Sequence, residues 1–326
     1  MINKIQKNLS KNMLLYTFSV IIWGLLLWLF FPELKILWKW ILIIIFIMIY
    51  PTMISISLGQ LKKIKWWTKP LLIALFLNFI YAPLFIFALS SIFISDPQIT
   101  LALMLLAIAP SSSMGLGYIG LAEWNTLVWA LILAISFISS IFIYPLAWSY
   151  FAGQSHLVIP IWLILKNLIY ILIIPLILGI TTREYIEKKH EEWTYKKVKP
   201  YLSVITLSSL YILIFIIFIS KSDLIIKNWK DILAIAPVIL IYFTITIFLM
   251  IFVNKKIFKL EYGDHQSIIF TSVSKNVAIT IAILIAVFWE KWMYMSIVPA
   301  IVALFQAPIS MLYLRLTKQV KQYFNK

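Results

Sequence analysis

Long apolar runs make up most of the chain, and short polar stretches that hold most of the charges separate them. A membrane-spanning helix needs roughly 20 mainly apolar residues, so the pattern predicts ten such helices. Eight are continuous, and two are interrupted by polar residues. The predicted helices cover about 14–31, 38–59, 70–95, 98–122 (interrupted), 126–151, 157–180, 200–220, 231–254, 265–289 (interrupted) and 292–314.

The two interruptions place hydroxyl and amide side chains inside otherwise apolar runs. In hydrocarbon, each unpaired backbone group costs several kcal/mol, so a spanning helix breaks only where protein or a water-filled cavity pairs those groups. Secondary transporters use such broken helices to form a substrate site near the bilayer midplane. We expect the two breaks to face each other at a site formed by Pro110, Ser111, Ser112, Ser113 and Met114 from the first break, and by Thr271, Ser272, Ser274, Lys275 and Asn276 from the second.

Composition narrows the class of protein. Hydrophobic residues account for 63% of the chain and charged residues for 12%, which is more apolar surface than one soluble core can bury. We therefore predict an all-α polytopic membrane protein. One interrupted helix in each half indicates two inverted repeats of five helices. The predicted units are residues 1–180 with a break near 109–117, a cytoplasmic linker over 181–199, and residues 200–326 with a break near 271–276.

The formal net charge of +16 follows the predicted topology. With the N-terminus placed in the cytoplasm, cytoplasmic segments hold 20 Lys and Arg residues and external loops hold six. This asymmetry obeys the positive-inside rule, so we expect a multi-pass protein of the cell membrane with both termini cytoplasmic. The basic charge then sets the topology and attracts membrane lipids with anionic head groups, and it does not indicate binding of nucleic acid.

Two cations, Lys166 and Lys275, fall inside predicted helices, whereas all 12 acidic residues fall at helix ends or in loops. Ionisable residues are rare enough inside membranes to indicate function. Two cations without a carboxylate indicate a cavity for an anion, or for a neutral polar solute exchanged for a proton that Lys275 could carry. Permanent pairing of Lys275 with a backbone carbonyl or a lipid phosphate is the alternative. Asn78, Lys166 and Gln306 are further candidates that line the path.

Other classes of protein find little support in the sequence. The chain has no cysteine, and its three histidines lie at helix ends or in the linker, so neither a metal site nor an acid-base pair can be assembled inside the membrane. No nucleotide-binding motif is present. We therefore predict no enzymatic activity, no metal and no cofactor. A membrane sensor that binds a solute without moving it is the alternative of another class.

Several segments spread over most of the chain match one transport family. They are Tyr50-Pro51-Thr52-Met53, Asn78 with Ala82-Pro83, Ala109-Pro110-Ser111-Ser112-Ser113-Met114, Ile174-Pro175-Leu176-Ile177-Leu178-Gly179-Ile180-Thr181-Thr182-Arg183, and Phe270-Thr271-Ser272-Val273-Ser274-Lys275-Asn276 through Ala286-Val287-Phe288. On these segments the chain resembles the bile acid:sodium symporter superfamily and, within it, the arsenite-efflux permeases. That resemblance implies ten helices in two inverted repeats, a panel domain, a core domain, and broken helices that cross at the substrate site.

Two departures from the family bear on function. Arsenite permeases carry a cysteine where Ser111 stands and an acidic residue near Ala278, and a serine hydroxyl cannot replace a soft thiolate toward As(III). Sodium-coupled relatives use carboxylate and amide oxygens at the second crossing, where this chain has Lys275. A fixed ammonium supplies the charge of a sodium ion and repels the ion itself. We therefore expect a sodium-independent carrier of a small organic anion, with efflux of arsenite or antimonite, as a metalloid oxyacid, as the alternative.

Overall fold

Helices account for almost all of the part of the chain that the structure, a computed structural model, describes. This is the expected outcome for an apolar chain, because a backbone in hydrocarbon must pair its polar groups internally. The predicted site residues Ser113 and Met114 lie outside the described residues. The described ranges are 2–54, 68–112, 125–154, 161–220, 222–227, 229–288 and 293–325.

We number the described α-helices in chain order. Short π-helical turns at Leu77–Tyr81 and Ile169–Ile173 join α4 to α5 and α8 to α9. The helices are α1 (Ile2–Lys11), α2 (Met13–Phe30), α3 (Ile41–Ile54), α4 (Lys69–Phe76), α5 (Ala82–Phe93), α6 (Pro97–Ala107), α7 (Thr126–Gln154), α8 (Ile161–Leu168), α9 (Ile174–Ser220), α10 (Ser222–Lys227), α11 (Trp229–Lys256), α12 (Tyr262–Val273), α13 (Val277–Phe288) and α14 (Ile297–Asn325).

Seven helical stretches are long and apolar enough to cross a membrane, so the prediction of an all-helical polytopic membrane protein is confirmed. The first predicted helix corresponds to a shorter apolar helix, Leu15–Phe30, and the two interrupted helices are broken where polar residues occur. Ten crossings in two inverted repeats stay a prediction. The seven stretches are Pro32–Ile54, Lys69–Phe93, Leu127–Ala147, Ile169–Lys188, Lys197–Ser220, Ile232–Lys256 and Ile297–Asn325.

Helical structure continues from Ile174 to Ser220, yet this segment turns back on itself. The Tyr50 hydroxyl lies 2.7 Å from the Thr182 hydroxyl, and the Thr206 hydroxyl lies 3.5 Å from the Met48 carbonyl oxygen. In a straight helix, Thr182 and Thr206 would be about 36 Å apart. Because both contact the same two turns of α3, the chain reverses direction between them. The prediction that 181–199 is a linker between two repeats stays a prediction.

The helices pack mainly in two sets. Helices α2 and α3 pack against α9, while α5, α6, α7, α11, α12, α13 and α14 pack largely with one another. Helix α3 also contacts α13, which follows the second break. The site described below therefore lies where the two sets meet.

Candidate solute-binding site

The two interruptions meet in the buried interior, where their backbones pair in a short antiparallel bridge between Ser111 and Lys275. The Ser112 amide donates to the Ser274 carbonyl oxygen at 2.8 Å, and the Asn276 amide donates to the Pro110 carbonyl oxygen at 2.9 Å. Each break thus pairs backbone groups that the other leaves open. The expectation that the breaks face each other is confirmed.

The first break begins because α6 ends at Ala107 and Pro110 has no amide hydrogen to continue it. The Ser111 amide donates instead to the Ser136 hydroxyl of α7, at 3.1 Å. The Ser136 hydroxyl in turn donates to the Leu133 carbonyl oxygen at 2.8 Å. The chain therefore leaves the helix without a buried unpaired amide at Ser111.

Gln306 of α14 holds the second break open. Its Oε1 accepts from the Lys275 amide at 3.0 Å, and its Nε2 donates to the Lys275 carbonyl oxygen at 3.2 Å. The Lys275 amide is thereby diverted from the Thr271 carbonyl, its ordinary partner in a helix. The Ser111 hydroxyl replaces the Lys275 amide as the donor to the Thr271 carbonyl oxygen, at 2.9 Å.

Asn276 starts the next helix. Its Oδ1 accepts from the Ile279 amide at 3.1 Å, and its carbonyl oxygen accepts from the Thr280 amide at 3.2 Å. A side-chain oxygen that satisfies an amide of the first turn is the usual N-terminal cap of a helix. Asn276 therefore both ends the break and directs the first turn of α13 toward the bridge.

The ammonium group of Lys275 is buried and bonds to Asn78, which lies 197 positions earlier in the chain. Nζ lies 2.7 Å from Asn78 Oδ1 and 3.4 Å from the Asn78 carbonyl oxygen. Asn78 Nδ2 lies 3.5 Å from the Ser111 hydroxyl, so one chain of polar contacts joins Lys275, Asn78 and the first break. No carboxylate forms an ion pair with Lys275 within the ranges that the structure describes.

The Asn78 carbonyl is open to Lys275 because of the π-helical turn. In this turn the Ala82 amide donates to the Leu77 carbonyl oxygen, five residues back. In the same five-residue pattern, the amide of residue 83 would donate to the Asn78 carbonyl oxygen. Residue 83 is proline, which has no amide hydrogen, so this bond does not form. Insertions of this kind are frequent at functional sites. The π-turn and Pro83 together leave Asn78 with two oxygens for a cation.

A small cavity of about 20 Å³ lies beside the bridge. Polar side chains from both sets of helices line it, among them Thr52, Ser112, Thr206, Asn276 and Gln306. A space of this size holds a water molecule and no large organic molecule. In this conformation the space beside the bridge is therefore suited to water or a very small solute. Its remaining lining residues are Met48, Leu210, Lys275, Val277, Ala278 and Ala303.

The structure brings together most of the residues predicted from the sequence. Lys166 and Ser272 are the described candidates outside this group, and the Lys166 side chain is exposed whereas the residues of the bridge are buried. The Ser272 hydroxyl is buried and has no hydrogen-bond partner within the part of the chain that the structure describes. The residues gathered around the bridge are Asn78, Pro110, Ser111, Ser112, Thr271, Ser274, Lys275, Asn276 and Gln306.

Sequence reasoning missed three polar contributors, Thr52, Ser136 and Thr206. Each is a hydroxyl inside a mainly apolar helix, and such residues usually bond to their own helix. Thr206 indeed also lies 3.0 Å from the Leu202 carbonyl oxygen. Only the packing of distant helices distinguishes these hydroxyls from others of the same kind.

A polytopic helical membrane protein with two broken helices joined at a buried polar site has the architecture of a secondary transporter. The profile of the Sodium Bile acid symporter family matches residues 42–228, more than half of the chain, and the chain belongs to this family. The family predicted from the sequence is thus confirmed, and the chain is a multi-pass membrane transporter.

The chain is similar over most of its length to two curated proteins. It is 26% identical over 309 residues to an uncharacterized transporter of Synechocystis sp., which covers 88% of this chain and 80% of that protein. It is also 26% identical over 253 residues to the arsenical-resistance protein Acr3 of Corynebacterium glutamicum, covering 74% of this chain and 68% of that protein.

Proposed function

We propose that this chain is a secondary active transporter of a small anionic or polar solute, independent of sodium, in which Lys275 replaces the coupling cation. Alternating access, in which the core domain moves against the panel domain around the two breaks, would expose the bridge to either side. The observation that carries the proposal is the position of Lys275 Nζ, 2.7 Å from one oxygen of Asn78 and 3.4 Å from another. The ammonium occupies an oxygen-lined place suited to a monovalent cation.

Electrostatics supports independence from sodium. A second monovalent cation 4 Å from the ammonium would be repelled by about 4 kcal/mol at an effective dielectric constant of about 20. Each 1.4 kcal/mol changes an equilibrium tenfold, so the affinity for sodium would fall by roughly three orders of magnitude. The charge of Lys275, with hydroxyls and amides around it, would attract an anion to the cavity.

The test is solute flux in proteoliposomes that contain a panel of small organic anions and arsenite, with imposed sodium or proton gradients. We expect flux of an organic anion that ignores the sodium gradient in the wild type and in Lys166→Ala, the control at an exposed lysine. Lys275→Ala should stop this flux, and added sodium should partly restore it, because Asn78 then has free oxygens. Sodium-dependent flux in the wild type that is abolished in Lys275→Ala would contradict the proposal.

Arsenite or antimonite efflux is the second candidate, because the chain is 26% identical to an arsenical-resistance protein. The hydroxyl groups of Thr52, Ser112 and Thr206 that line the cavity would hydrogen-bond to a hydroxylated metalloid acid. Ser111 offers no thiolate to As(III), which weighs against this candidate. Arsenite flux without organic-anion flux in the same panel would support it. Binding of either solute without any flux would instead indicate a membrane sensor.

A further inference from the structure

One end of the molecule gathers basic residues from three helices and the turn after α11. We call them the basic rim: Lys69, Lys255, Lys256, Lys259, Arg315, Lys318 and Lys321. The elements that carry them are in contact, because Lys69 Nζ donates to the Phe258 carbonyl oxygen and Lys255 Nζ donates to the Phe324 carbonyl oxygen. The Tyr262 hydroxyl also donates to the Thr317 carbonyl oxygen, at 3.3 Å.

The charge of the basic rim is largely unopposed. Glu261 and Asp264 are the acidic residues beside it in the described part of the chain. Glu261 is exposed, whereas Asp264 is partly buried and its carboxylate accepts a hydrogen bond from Asn125 Nδ2 at 2.7 Å. Seven cations therefore face two carboxylates, and the surface favours an anionic partner.

Aromatic rings hold several of these lysines in place. Lys69 Nζ lies 5.7 Å from the centroid of the Phe258 ring, and Lys256 Nζ lies 6.0 Å from that of Tyr323. Lys321 Nζ lies 6.0 Å from the Tyr262 ring centroid. An ammonium over a ring face is attracted to it, which limits the positions that the lysine side chain adopts.

Lys259 of the basic rim also has an unusual backbone conformation. It has a φ of 51°, the left-handed conformation that glycine adopts without strain after a helix. A residue with a Cβ is strained in this conformation, because the Cβ lies too close to the following carbonyl oxygen. The side chain of Lys259 is exposed at this turn.

Apolar surface leads directly to the basic rim. Phe248 is 63% exposed and Phe252 is 55% exposed on α11, and Ile257, 61% exposed, follows the end of that helix. On α14, Leu312 is 58% exposed and Leu316 is 44% exposed. In a membrane these faces contact acyl chains, so the basic rim lies at the level of the lipid head groups.

From this arrangement we propose that the basic rim binds the head group of an anionic phospholipid, whose acyl chains lie along Phe252 and Ile257. Lys256 and Lys259 flank Ile257 and bind the phosphate. A soluble anion would use the charge but not the exposed apolar surface beside it. A phospholipid uses both.

The experiment is lipid retention measured by native mass spectrometry on the full-length protein in an equimolar mixture of phosphatidylglycerol and phosphatidylcholine. We expect the wild type to retain phosphatidylglycerol preferentially. Lys256→Gln and Lys259→Gln should each lower that preference roughly fivefold, the effect of about 1 kcal/mol per basic residue near a charged membrane surface. The matched control is Lys227→Gln with Lys230→Gln, two exposed lysines at the end of α10 and in the first turn of α11, with Lys230 about 40 Å from Lys256 along α11.

Two variants of Lys259 separate charge from folding. Lys259→Gly removes the charge and relieves the backbone, so it should lose phosphatidylglycerol while its melting temperature is kept or raised. Lys259→Arg should retain the lipid. Equal retention of both lipids by the wild type would overturn the proposal. An equal loss of phosphatidylglycerol preference in the Lys227→Gln/Lys230→Gln control and in the Lys256 and Lys259 variants would also overturn it. Stabilisation by soluble glycerol phosphate as large as that by phosphatidylglycerol would also overturn it, because it would reveal a site for a small anion.

Discussion

At the scale of single residues, the pairing of Lys275 with Asn78 decides what the site can do. A buried cation without a carboxylate depends on neutral dipoles for its stabilisation, and Asn78 supplies two of them. The sequence singles out Lys275, because charges inside apolar runs are rare. It indicates Asn78 only weakly, because one amide in an apolar run is common and its partner lies 197 positions away.

Removal of the Asn78 side chain should destabilise the protein more than loss of an ordinary buried hydrogen bond. We expect Asn78→Ala to lower the free energy of unfolding by about 1–3 kcal/mol, because it leaves a buried ammonium short of a partner. Thermal unfolding in detergent measures this. The control is Ser140→Ala, which removes a 2.7 Å hydrogen bond to the Ser136 carbonyl oxygen within one helix. Equal losses for both variants would show that the ammonium does not depend on Asn78.

Asn78→Asp tests whether Lys275 exchanges a proton. The carboxylate would pair with the ammonium and hold it charged across the accessible pH range. If the proton moves during transport, solute flux driven by a proton gradient should stop in Asn78→Asp, while the stability should be retained. Undiminished proton-driven flux would place the proton elsewhere and leave Lys275 as a fixed charge.

At the scale of helices, close packing sets where α3 and α9 meet. An added Cβ on Gly179 would lie 2.4 Å from the Met53 Cβ and 2.7 Å from the Met53 carbonyl carbon. Glycine is therefore required at this contact, since α3 would have to move to admit a methyl group. The sequence contains this glycine, but its role follows only from the approach of a helix about 125 positions away along the chain.

Gly179→Ala should destabilise the protein by about 1–3 kcal/mol, as overpacking does. Gly24→Ala is the matched control, since its Cβ would come no closer than 3.1 Å to the Phe215 carbonyl oxygen. There, the gain in helix propensity of about 1 kcal/mol offsets the tight contact. Comparing the melting temperatures of the two variants checks the prediction. A larger decrease in melting temperature for Gly24→Ala than for Gly179→Ala would contradict the prediction, because it would show that α3 moves easily to admit a methyl group.

At the scale of the whole molecule, segments predicted to share the cytoplasmic side come together. Lys69 contacts Phe258, Lys255 contacts Phe324, and the Asn125 amide donates to the Gly263 carbonyl oxygen at 3.1 Å. The apolar pattern and the distribution of lysines predict most helices and both breaks, since these depend on local composition. The bridge, the reversal within α9 and the role of Gln306 depend on contacts between distant segments, which no local pattern specifies.

The topology can be tested cleanly, because the chain has no native cysteine. We expect Lys256→Cys and Lys318→Cys to react with a membrane-impermeant maleimide only after cells are opened, since their end of the molecule is predicted to be cytoplasmic. Lys230→Cys should react in intact cells. All three positions have exposed side chains, so a difference in the labelling rate reports the side of the membrane and not burial of the residue. Labelling of Lys256→Cys in intact cells would reverse the predicted orientation.

The ammonium bound to Asn78 has a consequence for energy coupling. A carrier that moves an anion together with sodium cancels the charge of the anion, whereas a counter-charge built into the protein does not travel. Each monovalent anion would then cross with its full charge, and an inside-negative membrane potential would drive it outward with about 2.3 kcal/mol per 100 mV. If Lys275 keeps its proton throughout the cycle, transport of a monovalent anion is therefore electrogenic, and the resting voltage alone drives export.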